Sequence, residues 1–398
     1  MHIIEMTPEE RTAALASARK VAEQFAAAGA DHDRENSFPG EMVERFRSSG
    51  LSTLNIPKRF GGGGADIELY TECIQILAQG DPATALAFNM HLGVVGFFRG
   101  MWSDADQQRL FPGVATSGYL FDGAYSETRA GVIGIADTIA VPVDGGYVIS
   151  GRKTWATLSL AATHHTFNAC ITDRDGKLPE DIAARGASEV MFVCPADAKG
   201  VRIELTWDAM GMRASGTETV VFDEVFVPEI DLVSSRFRDG LFENLEWQTL
   251  SFASIYLGLA RKAYAEAVEI LKTKRLGAVP GAADVVLADQ QRVHAGIGEM
   301  KILIEAAASA IAVTARRLND GEEIASDPSA RLAALEIPKV IATENAMKVV
   351  DIAMRLVGGG SYRRGHVLER LYRDARSGPF HPLTTDQTLE LLGQVALS

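Results

Sequence analysis

Apolar positions recur at helical spacing from the first turns of the chain. Thr7 is placed to cap, Pro8 sits at the first helical position, Glu10 completes a capping box, and Leu15, Val21 and Phe25 follow. Asp81-Pro82 predicts the start of another helix. The run ATALAFNMHLGVVGFF behind it is apolar on nearly every face, as in a helix buried inside a bundle.

From about Gly118 the period changes. Short runs, DTIAVPV and YVISG, flank Asp144-Gly145-Gly146, a strong hairpin signal, and EVMFVCP, VRIEL and ETVVFDEVFVP follow as further strand candidates. Strand grammar lasts to about Val233. After Asn244 the helical period returns in segments near 244–273, 285–319 and 331–357, broken at Gly277 to Gly281 and at Asp320-Gly321, with a last helix over Thr385 to Ala396. Helices, then strands, then helices predict an α+β fold with segregated regions, divided at 1–118, 119–233 and 234–398, and not a doubly wound sheet.

A length of 398 residues with 47% hydrophobic content suits a globular protein of two or three domains. The net charge of -13 argues against nucleic acid or an anionic membrane surface as a partner. Cys73, Cys170 and Cys194 form no CxxC pair and no even disulfide set, which suits buried residues in a reducing cytoplasm. The opening MHIIEMTPEER has no signal-peptide pattern, and no apolar run reaches the ~20 residues of a membrane span. GxGxxG after a strand, GxxxxGK[ST], HExxH and GxSxG are all missing, so a Rossmann nicotinamide site is not expected. Gly61 to Gly64 follows PKRF and reads as a surface loop. His164 and His165, adjacent on a strand, would point to opposite faces, and no metal site is expected.

Three blocks, GYVISGRKTWAT at 146–157, VVFDEVFVPE at 220–229 and LERLYRDAR at 368–376, stand in an order that resembles the acyl-CoA dehydrogenase superfamily. The likeness runs from Arg34 to Ala375. It implies an N-terminal helical domain, a central β-barrel or sandwich domain and a C-terminal four-helix bundle, with a flavin between sheet and bundle. The expected cofactor is FAD, with FMN as the alternative. By the resemblance, Tyr125 and Ser126 lie along the flavin pyrimidine, Trp155 sets an indole against the ring, and Thr157 offers a hydroxyl near N5. A flavin takes a hydride at N5, so a donor and a flat apolar wall are the chemistry required there. Arg355, Gly359 and Thr384 fall on further cofactor contacts.

The chain also departs from the family pattern. SETRAGVIG keeps Glu127 and Ala130-Gly131 but carries Val132 where a serine is usual. The arginine and phenylalanine that the family lends across a subunit interface to the FAD pyrophosphate would fall near Thr273 and Leu276, with Lys274 and Arg275 adjacent. Pro382 stands where the family carries its catalytic glutamate, and the alternative glutamate position falls near Gln248. Candidates for the base are His381, which titrates near neutrality, and Glu246. Glu246 is ~200° around a helix from Gln248 and otherwise reads as a solvated glutamate at a helix start. His91 reads as a hydrogen-bonded core residue or as a second catalytic histidine, and Asp386 serves the start of the last helix.

Three functions remain open at this point. The first is desaturation of an acyl-CoA thioester by hydride transfer to flavin N5 with an atypical base, in a soluble cytoplasmic homotetramer or dimer served by an electron-transfer partner. The second is a two-component monooxygenase of the same fold that uses O2 and reduced flavin from a separate flavin reductase. The third is a catalytically silent subunit paired with an active paralogue.

Overall fold

The computed structural model describes residues 5–129, 134–235, 237–238, 244–275, 277 and 286–398. Helix α1 (Pro8–Glu35) starts on the expected capping box: Thr7 Oγ1 accepts from the Glu10 N–H, and the Glu10 carboxylate accepts from the Thr7 N–H. It ends where Asn36 enters the left-handed region at φ 54°, a conformation that asparagine tolerates. Helices α2 (Met42–Ser48), α3 (Ile67–Gly80), α4 (Pro82–Met101) and α5 (Asp104–Ser117) complete the first helical region. Asp81 caps α4 as its sequence suggests, its Oδ2 accepting from the Thr84 N–H at 3.0 Å. Gly61 to Gly64 form a loop folded back on 53–56, with the Gly63 N–H donating to Thr53 O.

Strands β1 (Phe121–Ala124), β2 (Ile139–Val143), β3 (Gly146–Ala156) and β4 (His164–Ile171) come next. After a short helix α6 (Ile182–Ala187) come β5 (Glu189–Pro195), β6 (Val201–Glu204), β7 (Glu218–Pro228) and β8 (Leu232–Ser234). They form one sheet in the order β6-β7-β3-β2-β4-β5-β8, and β1 pairs in parallel with the first half of β4. The β2–β3 hairpin closes on Val143↔Gly146, leaving Asp144-Gly145 as a two-residue loop with Gly145 at φ 83°, where only glycine is unstrained.

The second helical region comprises α7 (Glu246–Thr273), α8 (Gln291–Asn319), α9 (Pro328–Val357), α10 (Val367–Ala375) and α11 (Thr385–Leu397). Helix α7 packs on α9 and α8, and also on α3 and α4, so one apolar core runs through both helical regions. Phe88 sits at its heart, its ring 5.6 Å from Phe25 and 4.7 Å from Phe46. Truncating such a side chain to alanine costs about 3–5 kcal/mol.

Buried charges tie the regions together. Arg373 bonds Asp33 on α1 and Glu369 one turn earlier, Arg370 pairs with Asp81 at 3.0 Å, and Asp374 Oδ1 accepts from the Met212 N–H at 2.6 Å. Gly211 is obligatory beside this joint, because a Cβ there would lie 2.3 Å from the Arg373 carbonyl oxygen. The LERLYRDAR block is therefore a clamp between α10, α1, α4 and the loop before β7.

All three cysteines are buried and free. Among the described residues, no helix is long and apolar enough to cross a membrane, and no group of three or more His, Cys, Asp or Glu is placed to hold a metal ion.

Candidate active site

The end of β3 departs from regular strand geometry. Its register against β7 slips between Lys153 and Ala156, and Trp155 between them adopts φ 58°. A bulky residue at positive φ is strained, and such strain persists where the surroundings fix it for a purpose. The consequence is an indole turned outward, 60% exposed, at the rim of a well-packed sheet. Thr157 is buried beside it, its Oγ1 2.9 Å from Thr217 Oγ1, which in turn lies 2.6 Å from Ser215 Oγ. Thr154 donates its N–H to Ser126 O at 2.9 Å, so the structure brings Ser126 and the Trp155 segment side by side. The Tyr125 hydroxyl points the other way, 2.8 Å from Thr166 Oγ1, and its ring stacks on Phe237.

A buried polar chain anchors this corner from below. Lys153 Nζ donates to Glu127 Oε1 at 2.6 Å and to Asn168 Oδ1 at 2.8 Å, and the Asn168 amide donates to Glu189. Burial pulls the Lys153 ammonium below its ordinary range while Glu127 holds it up, and the same pair draws the Glu127 carboxyl down against its own burial. Glu127 also accepts from the Thr138 N–H and hydroxyl. The acidic residue kept in SETRAGVIG thus fixes the loop beside Ser126. Ala130, Gly131 and Val132 of that loop lie outside the described residues.

The second group surrounds His381, the residue before Pro382. His381 stacks on Phe252 with ring centroids 4.2 Å apart and 15° between planes, and its Nε2 lies 2.8 Å from the Tyr256 hydroxyl oxygen. Phe252 and Tyr256 are one turn apart on α7, which aligns them on one face. Tyr256 also meets Ser377 Oγ at 2.7 Å. Beneath, the buried pair Glu336 and Lys339 braces the segment from α9: Lys339 Nζ donates to the carbonyl oxygens of His381 and Leu383. Burial, with the Lys339 cation second, pushes His381 down to about 3. No carboxylate contacts the His381 ring among the described residues.

The two groups are joined by continuous contact. Ser215 leads to Met212, whose N–H is held by Asp374, and the Asp374 carbonyl accepts from the Ser377 hydroxyl that meets Tyr256.

Other expected residues fall elsewhere. Glu246 is a correction on both counts: it is buried, not solvated, and its carboxylate is committed to Arg331 at 3.0 Å. His91 is a core residue, donating from Nε2 to Ser52 O and accepting the Phe121 N–H at Nδ1, with burial pushing it down to about 4. Arg355 and Gly359 are exposed at the far end of α9, where Arg355 pairs with Asp351 and Lys274 Nζ donates to Val357 O. The structure makes no contact between them and Trp155. Leu276 lies outside the described residues. Thr384 caps α11 in a capping box with Gln387, and Asp386 stands in its first turn. Sequence reasoning missed Phe252, Tyr256, Ser377 and Lys339. The i, i+4 spacing of the two aromatic residues was visible, but ordinary core residues share it.

Family models match the chain in three consecutive parts: "Acyl-CoA dehydrogenase, N-terminal domain" over 8–118, "Acyl-CoA dehydrogenase, middle domain" over 124–225 and "Acyl-CoA dehydrogenase, C-terminal domain" over 250–385. A Bacillus subtilis (strain 168) protein assigned as an acyl-CoA dehydrogenase is 31% identical over 385 residues, covering 95% of this chain and 94% of its own length. The L-evernosamine nitrososynthase of a Micromonospora species is 31% identical over 399 residues, covering 94% and 87%. Among solved structures, the FMN-bound dibenzothiophene monooxygenase TdsC of Paenibacillus sp. A11-2 superposes with a TM-score of 0.84 at 25% identity, covering 95% of this chain and 96% of its own.

Proposed function

We propose, for a chain that belongs to the acyl-CoA dehydrogenase family, that it is a flavin-dependent monooxygenase of that fold and not a thioester dehydrogenase. One observation carries this reading: Pro382 stands at the base position, and the neighbouring His381 ring meets Phe252 and Tyr256 and no carboxylate among the described residues. Desaturating a thioester requires a positioned base that takes up the α proton. Pro382 has no such group, and protonation of His381 is opposed by burial and by Lys339. Oxygen transfer from reduced flavin has no need of that base. The relatives named a nitrososynthase and a dibenzothiophene monooxygenase support the same choice.

The residues present fit a flavin. An exposed indole held at a strained φ offers the flat wall, Thr157 the hydroxyl beside it, and Ser126 and Tyr125 the adjoining backbone. When bound and reduced, the flavin supplies the electrons that activate dioxygen. Arg355 and Gly359 are exposed where α9 ends, so their part is best taken toward the phosphates of a flavin shared with a second copy of the chain. FAD is the expected form, with FMN, as in TdsC, the alternative. The electrons come from a separate flavin reductase, and the substrate is a small molecule.

Anaerobic mixing of the flavin-loaded protein with acyl-CoAs of several chain lengths tests the reading. Oxidised flavin stays yellow on this account, while reduced flavin with O2 and a substrate gives an oxygenated product. Bleaching by any thioester would favour the second reading, dehydrogenation, for which the 31% identical Bacillus subtilis relative speaks.

A further inference from the structure

The hydrogen bonds around His381 can be counted proton by proton. The Ser377 hydroxyl lies 2.7 Å from the Asp374 carbonyl oxygen, which can only accept, so Ser377 spends its single proton there. Ser377 Oγ is then an acceptor for its other neighbour, the Tyr256 hydroxyl at 2.7 Å. Burial raises the Tyr256 phenol above its ordinary range, so it keeps its proton and donates it to Ser377. What Tyr256 has left for His381 Nε2, at 2.8 Å, is a lone pair. An imidazole nitrogen facing a lone pair must carry hydrogen.

We infer that Tyr256 and Ser377 are positioning residues that fix His381 as the neutral Nε2–H tautomer, leaving the Nδ1 lone pair as the site's hydrogen-bond acceptor. Nδ1 has no partner among the described residues. The faces around the ring agree with this assignment. Phe252 covers one side of the ring, Lys339 reaches only the backbone of its segment, Glu336 is taken up by Lys339 and the hydroxyls of Thr249 and Thr388, and the buried Asp374 carboxylate is turned to the Met212 N–H. A neutral acceptor of this kind orients a ligand O–H or N–H. Under the monooxygenase reading, on which this last step rests, the substrate therefore carries an amine or hydroxyl hydrogen where it meets His381, and a bare alkyl chain does not suit the site.

The test uses the full-length protein with ¹⁵N-labelled histidine rings, whose nitrogen shifts distinguish protonated from bare nitrogen without any turnover. In the wild type, His381 Nε2 gives the protonated signature and Nδ1 the bare one. Ser377→Ala removes the phenol's acceptor, so the Tyr256 proton turns to Nε2 and the two signatures exchange. Tyr256→Phe leaves neither nitrogen preferred. Added indole, which offers an N–H, moves the Nδ1 resonance, whereas indene, the same ring frame without that hydrogen, leaves it in place. An Nδ1–H tautomer in the wild type, or unchanged signatures in Ser377→Ala, would overturn the assignment. An Nδ1 resonance indifferent to indole would overturn the acceptor role. If the tautomer holds while reduced flavin and O2 give no oxygenated product, the monooxygenase reading fails and the tautomer assignment stands.

Discussion

Arg373 grips Asp33 with two guanidinium nitrogens, Nη1 to Oδ1 at 2.8 Å and Nη2 to Oδ2 at 2.6 Å, across 340 residues of sequence. Both side chains are largely buried, and Glu369 shares the guanidinium. Bidentate, desolvated pairs of this kind are costly to break, because the abandoned carboxylates remain in a poor solvent. Arg373→Ala should therefore lower unfolding free energy by about 3–5 kcal/mol in chemical denaturation. A loss under about 1 kcal/mol would rank the pair with ordinary surface bridges.

Asp374, next to that pair, has the opposite electrostatic character. Burial, with Asp81 second, pushes its carboxyl up to about 7. The folded chain thus holds this proton more tightly than the unfolded chain, whose aspartate titrates near ~3.9. Asp374 favours folding most below that unfolded value, and the contribution disappears as pH rises through about 7. Asp374→Asn keeps the acceptor for the Met212 N–H and removes the titration. Its stability relative to wild type should rise between pH 4 and 8 and level off above; a pH-independent difference would remove Asp374 from this role.

His381 should stay neutral across the physiological range. Lys339→Met removes the nearby cation and the donor that holds the His381 and Leu383 carbonyls, so the histidine pKa should rise from about 3 toward its ordinary value. An NMR titration of the ring reads this directly. A wild-type His381 that protonates between pH 6 and 7 would contradict the environment described.

Much of this architecture was legible in the residues. The Thr7/Glu10 box, the Asp81 cap and the Asp144-Gly145 turn are local chemistry, and the structure places each where its sequence dictates. Trp155 and Thr157 are singled out only by the three-block resemblance, since nothing in K-T-W-A-T announces a positive φ. The Tyr256, Ser377 and His381 cluster was not legible. Its members stand 121 and 125 residues apart and meet only because α7 passes beneath the segment after α10. Glu246 misled for a related reason: a glutamate at a helix start is usually solvated, and its partner Arg331 lies 85 residues further on.

The strain at Trp155 predicts a trade between stability and function. Glycine adopts φ 58° without penalty, so Trp155→Gly should remove a cost of about 1–3 kcal/mol and raise the melting temperature, provided the exposed indole contributes little packing. A lower melting temperature would show that the indole has a structural role in the free chain.

The same variant gives the most direct measurement of the central claim, because it separates binding from folding. FMN and FAD titrated into the wild-type protein should quench tryptophan fluorescence saturably for at least one of the two, and folded Trp155→Gly should bind that flavin at least about tenfold more weakly, as loss of one stacking wall requires. Equal affinity in the two proteins, or no flavin uptake by the wild type, would contradict a flavin seated against this indole.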